Sequence, residues 1–154
     1  MISSIQDPIL LYELKDHTYA VAVCAFPNEF YITGSQDKKL RLWTKGTNTK
    51  NIDNAHGDII RDIQPNHDYS MFYTCSNDQT IKSWNLFGQN LLTLEGHEGF
   101  IFKILIYNDY IFSSGDDKTV KVWDLEGRAL LYTFEGVSSI SCTDPGGLSL
   151  AAKI

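Results

Sequence analysis

Arginine is scarce in this 154-residue chain. It occurs only at Arg41, Arg61 and Arg128, and acidic residues outnumber basic ones by 19 to 13, for a net charge of −6. Affinity for a phosphate backbone comes mainly from clustered Lys and Arg, so no nucleic-acid partner is expected. An anionic membrane surface is disfavoured for the same reason. The three arginines fall on predicted strands of different types, a poor basis for the basic ring that a phosphopeptide reader needs. Cysteine is also sparse. Cys24, Cys75 and Cys142 are widely spaced and odd in number, which argues against a disulfide framework and for a reducing compartment, the cytoplasm or the nucleus. Without a C-x-x-C pair no metal site is expected, and the three thiols read as small buried hydrophobes. Long apolar runs are missing too. Phe100 to Ile106 is interrupted by Lys103, and no apolar run approaches the length needed to span a bilayer. The opening MISSIQDPILLYELKDH has no basic region ahead of a long apolar core, so no secretory signal is expected. There is no N-x-S/T acceptor, and GSQDKK lacks the spacing of a phosphate loop. His67, in PNHDY, reads as a solvated loop residue. No cofactor is expected.

What the chain has in quantity is aromatic residues, 12% of the total, and an internal repeat. ITGSQDKKLRLWT, YTCSNDQTIKSWN and FSSGDDKTVKVWD each carry a hydroxyl residue, an Asp four positions on and a Trp six positions further. The sets are Thr33, Asp37 and Trp43; Thr74, Asp78 and Trp84; and Ser113, Asp117 and Trp123. A His precedes each set, at His17, His56 and His97. The tryptophans are spaced by 41 and 39 residues, the histidines by 39 and 41. A period of about 40 residues is that of a four-stranded propeller blade. Strand patterning agrees. VAVCAF, DIIRDI and FIFKILI follow the histidines as inner strands, and FYITGS, MFYTCS and YIFSSG as second strands. LRLW, IKSW and VKVW alternate with period two as third strands. NIDNAH is a weak fourth strand, LLTLEGH and LLYTFEG clear ones. QD, ND and DD stand at tight turns, which Asx side chains suit.

LEGHEGFIFKI followed by FSSGDDKTVKVWD resembles a WD40 repeat, with both the GH and the WD dipeptides. The other two repeats depart at the dipeptides but keep the His, hydroxyl, Asp and Trp. The resemblance covers about residues 10 to 154 and implies an all-β WD40 β-propeller, of which about three and a half blades are present. Residues 1–17 read as the outer strand of a preceding blade, 18–56, 57–97 and 98–136 as blades, and 137–154 as the first two strands of a further, truncated one. That family normally closes a ring of seven. The missing blades are expected from the rest of a longer chain or, as the alternative, from a second copy, because repeats need neighbours.

The resemblance also implies a role for the quartets: Trp donates to the hydroxyl, the hydroxyl bonds the His, and the His bonds the Asp. Asp, His and Ser/Thr together can mimic a hydrolase triad. Threefold recurrence at one period argues for architecture, since a catalytic site needs one copy. No catalytic residue is expected. Function then falls to the surface loops. Asp16, Asp58, Glu95 and Glu98 flank the His-containing loops; the simpler expectation is solvated surface, and functionally they would make one face acidic. Tyr19 and Phe100 follow two of the histidines, where such proteins commonly bind partners; the simpler expectation for both, Phe100 included, is core packing. Gln36, Asn77 and Asp116 precede the turn aspartates and by analogy face the same way. FYTCSNDQTIKSW, LEGHEGFIFKI, SSGDDKTVKVW and the GVSSISC that follows without a GH are similar to one branch, the Doa or phospholipase-A2-activating-protein family of ubiquitin-binding cofactors of an AAA+ segregase. That likeness implies a non-catalytic scaffold that binds ubiquitin or another protein and serves ubiquitin-dependent turnover. A general assembly scaffold is the alternative.

Overall fold

The computed structural model describes residues 7–126, 129–137, 139–144 and 147–151. Among them are three four-stranded antiparallel sheets and one two-stranded sheet, each a simple meander. The first sheet comprises β1 (Val21–Phe26), β2 (Phe30–Ser35), β3 (Leu40–Thr44) and β4 (Thr47–Ile52). The second holds β5 (Ile60–Pro65), β6 (Met71–Ser76), β7 (Thr80–Asn85) and β8 (Asn90–Glu95), and the third β9 (Ile101–Tyr107), β10 (Tyr110–Gly115), β11 (Thr119–Asp124) and β12 (Ala129–Glu135). β13 (Ser139–Asp144) and β14 (Gly147–Ala151) pair with each other. No helix among the described residues is long and apolar enough to cross a membrane.

The period-two alternation of the strands supplies each blade with two faces, and the core lies between blades. Cys24 and Phe26 of β1, Ile32 of β2 and Leu40 and Leu42 of β3 are buried against Ile60, Ile63, Phe72 and Trp84 of the second blade. Tyr73, Cys75, Ile81 and Leu94 leave the second blade's opposite face to meet Ile101, Ile104, Ile111 and Trp123. Each fully buried aliphatic or aromatic side chain stabilises by about 1.5–3 kcal/mol. Because these side chains meet across the blade boundary, that stabilisation belongs to the stack and not to any single sheet.

Three strand expectations change. NIDNAH is not the fourth strand of its blade. β4 runs from Thr47 and ends at Ile52, the partner of Leu40. Asn54 then takes a positive φ of 52°, and the Ala55 N–H donates to the Lys38 carbonyl, turning the chain out of the ladder. ILLYEL is not a strand: residues 7–16 form no ladder, and Ile9, Leu10 and Leu11 are exposed. An outer strand exists only by pairing with a third strand, and no third strand among the described residues forms a ladder with this segment. β5 and β9 begin at Ile60 and Ile101, a residue or two later than the apolar run. The loop ahead of each is held by the next turn instead, through Asn77 N–H to Ile59 O and Asp116 N–H to Phe100 O.

Two bulges recur. The outer strand slips by one residue opposite Trp43, Trp84 and Trp123 in all three blades. On the inner strands, β5 and β9 each carry an extra residue, Arg61 and Phe102, where β1 pairs without a shift.

Candidate functional site

The three quartets are assembled alike. The indole N–H donates to the hydroxyl oxygen at 2.9 Å for Trp43–Thr33, 2.9 Å for Trp84–Thr74 and 2.8 Å for Trp123–Ser113. His Nε2 lies 2.7 Å from that hydroxyl, and His Nδ1 lies 2.8 Å from the Asp, in all three. One proton arrangement satisfies every atom. The carboxylate only accepts, so Nδ1–H donates to it; Nε2 then accepts the hydroxyl proton, and the hydroxyl oxygen accepts from the indole. Burial alone would raise the Asp78 carboxyl, but hydrogen bonds from His56, Thr80 and Gly57 outweigh it and hold it well below the usual carboxylate range. Asp37 and Asp117 are lowered by the same balance, through His17 and the Lys39 amide and through His97, Thr119 and the Glu98 amide. Burial lowers His97, aided by Lys121 and opposed by Asp117, in keeping with an uncharged imidazole beside an ionised carboxylate. The hydroxyls of Thr33, Thr74 and Ser113 are buried, so these sets present no nucleophile to a substrate. Fully satisfied, they are struts.

Further members escaped the reading of the sequence. Two positions before each Trp stands a base. Arg41 Nη2 donates to the Asp16 carbonyl at 2.9 Å and Lys82 Nζ to the Ala55 carbonyl at 3.0 Å, in each case the residue before the His. Lys121 turns instead to Thr133 Oγ1 at 3.1 Å. Two positions after Asp78 and Asp117, Thr80 and Thr119 donate to the carboxylate at 2.7 and 2.8 Å; Lys39 holds that place in the first blade. Ser35 and Ser76, two before the Asp, tie the turn to the carbonyls of Ala20 and Asp58. The third blade has Gly115 there, because a Cβ would come within 2.7 Å of the Phe100 carbonyl. The periodicity that revealed the quartets carries these positions as well. Their residue types vary between copies, which hid them.

The candidate binding residues lie at the end of the blades that carries these turns. Tyr19 is 62% exposed and Phe100 42%, so the core-packing expectation for both gives way; the two residues stand on the loops ahead of β1 and β9. Gln36, Asp116 and Glu98 are exposed and Asp58 half-buried. Asn77 is not a surface group: it is 7% exposed, and its side-chain oxygen accepts from Arg61 Nε at 2.7 Å. Cys24 and Cys75 are buried free thiols, burial pushing Cys24 up to about 11. Cys142 sits on β13 with its side chain outside the described residues, and Arg128 also lies outside them. Arg41 and Arg61 lie on β3 and β5. His67 is exposed in its loop. Among the described residues no cluster of His, Cys, Asp or Glu is placed to hold a metal ion.

A stack of four-stranded meanders, each pinned by the same Trp–hydroxyl–His–Asp chain, defines a β-propeller of WD repeats. The chain belongs to the WD domain, G-beta repeat (WD40) family, whose model matches residues 9–44, 47–85 and 88–124. It is similar to the WD40 β-propeller domain of Doa1, with 30% identity and a TM-score of 0.80 over 92% of this chain and 51% of that one; this supports the likeness to the Doa branch. It is also similar to the computationally designed Ika8 protein, with 27% identity and a TM-score of 0.75 over 87% of this chain and 43% of that one. Curated relatives include polyadenylation factor subunit 2 of Candida albicans, 30% identical over 80 residues, and the protein SEC13 homolog of Dictyostelium discoideum, 36% identical over 59. These alignments cover 52% and 36% of this chain, and it spans 13% and 20% of those proteins. The chain is thus a partial WD40 propeller, a fold that generally serves as a non-catalytic protein-binding scaffold.

Proposed function

We propose that this propeller binds ubiquitin on the face that carries the turn aspartates and acts in ubiquitin-dependent protein turnover as part of a cofactor of an AAA+ segregase, in the cytoplasm or the nucleus. The observation that supports this reading is the 0.80 TM-score likeness to the Doa1 propeller domain. The face itself offers what a protein partner requires: exposed aromatic anchors at Tyr19 and Phe100, set among Asp58, Glu98 and Asp116, whose charge complements a basic surface. The blades that complete the ring come from the rest of a longer chain, or from a second copy. Titration of the isotope-labelled protein with ubiquitin tests the reading by NMR. Shifts should gather on the loops around Tyr19, Gln36, Glu98 and Phe100, and silence at millimolar ubiquitin would remove it.

A second reading is an assembly scaffold without ubiquitin affinity. It is favoured by the similarity to a polyadenylation factor subunit and to a SEC13 homolog, neither of which is named for ubiquitin.

A further inference from the structure

The two inner-strand bulges meet. Arg61 and Phe102 are the extra residues of β5 and β9, and an extra residue in a strand re-aims its side chain. Here the Arg61 guanidinium lies over the Phe102 ring, 5.6 Å from its centroid, and Phe100 meets Phe102 edge-on at 6.5 Å. Asn77, itself buried, fixes the guanidinium from behind through Nε. Its two Nη groups donate to no described residue, and no carboxylate pairs with it among the described residues. Arg41 differs, with Nη1 on Asn51 and Nη2 on the Asp16 carbonyl. Beside Arg61, where the first and second blades adjoin, is a recess of about 170 Å³ between Val21, Ala22, Ile59 and Ile60, with Gln36 and Arg61 as its polar lining.

The geometry points to a peptide-docking site in which Arg61 takes a carboxylate and the recess beside it takes an aliphatic side chain. A guanidinium held at Nε, backed by an aromatic ring and free at both Nη groups presents the planar fork that binds a carboxylate with two parallel hydrogen bonds. One arginine matches the single charge of a carboxylate, whereas a phosphomonoester carries about −1.5 to −2. The recess has room for one side chain, and the aliphatic groups of Val21, Ala22, Ile59 and Ile60 line it together with the polar Gln36 and Arg61. Asp58, Glu98 and Asp116 on the same face oppose any further acid in the ligand and favour flanking bases. The occupant is therefore a linear protein segment in which an Asp or Glu side chain follows a Leu, Ile or Val and basic residues lie on either side. This rests on the protein-binding reading of the face and not on ubiquitin as the partner.

Three blocked or free-ended peptides test it by NMR titration of the labelled chain: acetyl-Lys-Leu-Glu-Lys-amide, the same peptide with Gln for Glu, and acetyl-Lys-Lys-Leu with a free terminal carboxylate. The Glu peptide should shift the amides of Val21, Ile60 and Phe102 and the Arg61 Nε–H, and should bind at least ten-fold more tightly than either of the others. Arg61→Met should abolish the difference between Glu and Gln while leaving the indole N–H signals of Trp43, Trp84 and Trp123 in place. Val21→Trp, which fills the recess and leaves Arg61 intact, should weaken the Glu peptide at least ten-fold. Equal affinity for Glu and Gln, stronger binding of the free-ended peptide, binding that survives either substitution, or no shift with any peptide would each overturn the proposal. A silent ubiquitin titration alongside a clear Glu–Gln difference would remove ubiquitin alone.

Discussion

Phe72 and Trp84 stand directly opposite each other in the β6–β7 ladder, and their rings stack with centroids 6.2 Å apart and planes 12° apart. The same indole reaches Thr74 with its N–H and packs in the core shared with the first blade. One side chain thus joins the polar strut to the boundary between two sheets.

Replacing it separates the two contributions. Trp84→Ala removes the ring and the donor, and a loss of about 3–5 kcal/mol is expected. Trp84→Phe keeps a ring against Phe72 but strips Thr74 of its donor, for a loss of about 1–3 kcal/mol. Urea unfolding of the two variants checks the order; equal losses would show that the ring packing contributes nothing, and an unchanged Trp84→Phe that the hydrogen bond contributes nothing.

Stability should depend on pH in two stages. His97 has a folded pKa below its ordinary value, so the unfolded state binds its proton first. Its contribution is complete above about 6.5 and declines as pH falls through the folded pKa. Asp37, Asp78 and Asp117 are also lowered. Their contribution is complete above about 4 and is lost as the pH drops further. Denaturant midpoints measured from pH 8 to 3 should bend near the first value and steepen below the second. His97→Gln should abolish the first bend and leave the second.

The residue after each turn Asp lies in the left-handed region: Lys38, Gln79 and Lys118 have φ of 68°, 73° and 61°. That conformation costs a side chain about 1–2 kcal/mol, partly offset by the freedom glycine loses on folding. Gln79 is exposed and gives up no packing. Gln79→Gly should therefore raise stability by roughly 0.5–1 kcal/mol, seen as a higher melting temperature with unchanged denaturant slope.

Gly115 gives the opposite sign. The corresponding residues of the other blades are Ser35 and Ser76, so the repeat itself invites Gly115→Ser. A Cβ at Gly115 would lie 2.7 Å from the Phe100 carbonyl and 3.2 Å from His97 Nδ1. Backbone must move to admit it, and a loss of about 1–3 kcal/mol is expected for Ala or Ser alike. Calorimetry that found either variant as stable as the parent would refute the close approach.

The sequence alone determined the blades and their quartets. His, hydroxyl, Asp and Trp at a fixed period are a local code: each set closes within one sheet, so spacing along the chain is enough to find it. The second and third strands were legible for the same reason, since period-two alternation records which face is buried. The edges were not. Whether ILLYEL or NIDNAH is a strand depends on a partner that no local pattern specifies, and a ladder formed only at Thr47–Ile52. Only the tertiary structure decided which side chains remain at the surface. Asn77 is buried and holds Arg61 through its side-chain oxygen, and Arg61 and Phe102, the extra residues of two inner strands, face each other. Contacts between neighbouring blades join residues some 40 positions apart, a distance at which hydrophobic periodicity carries no information.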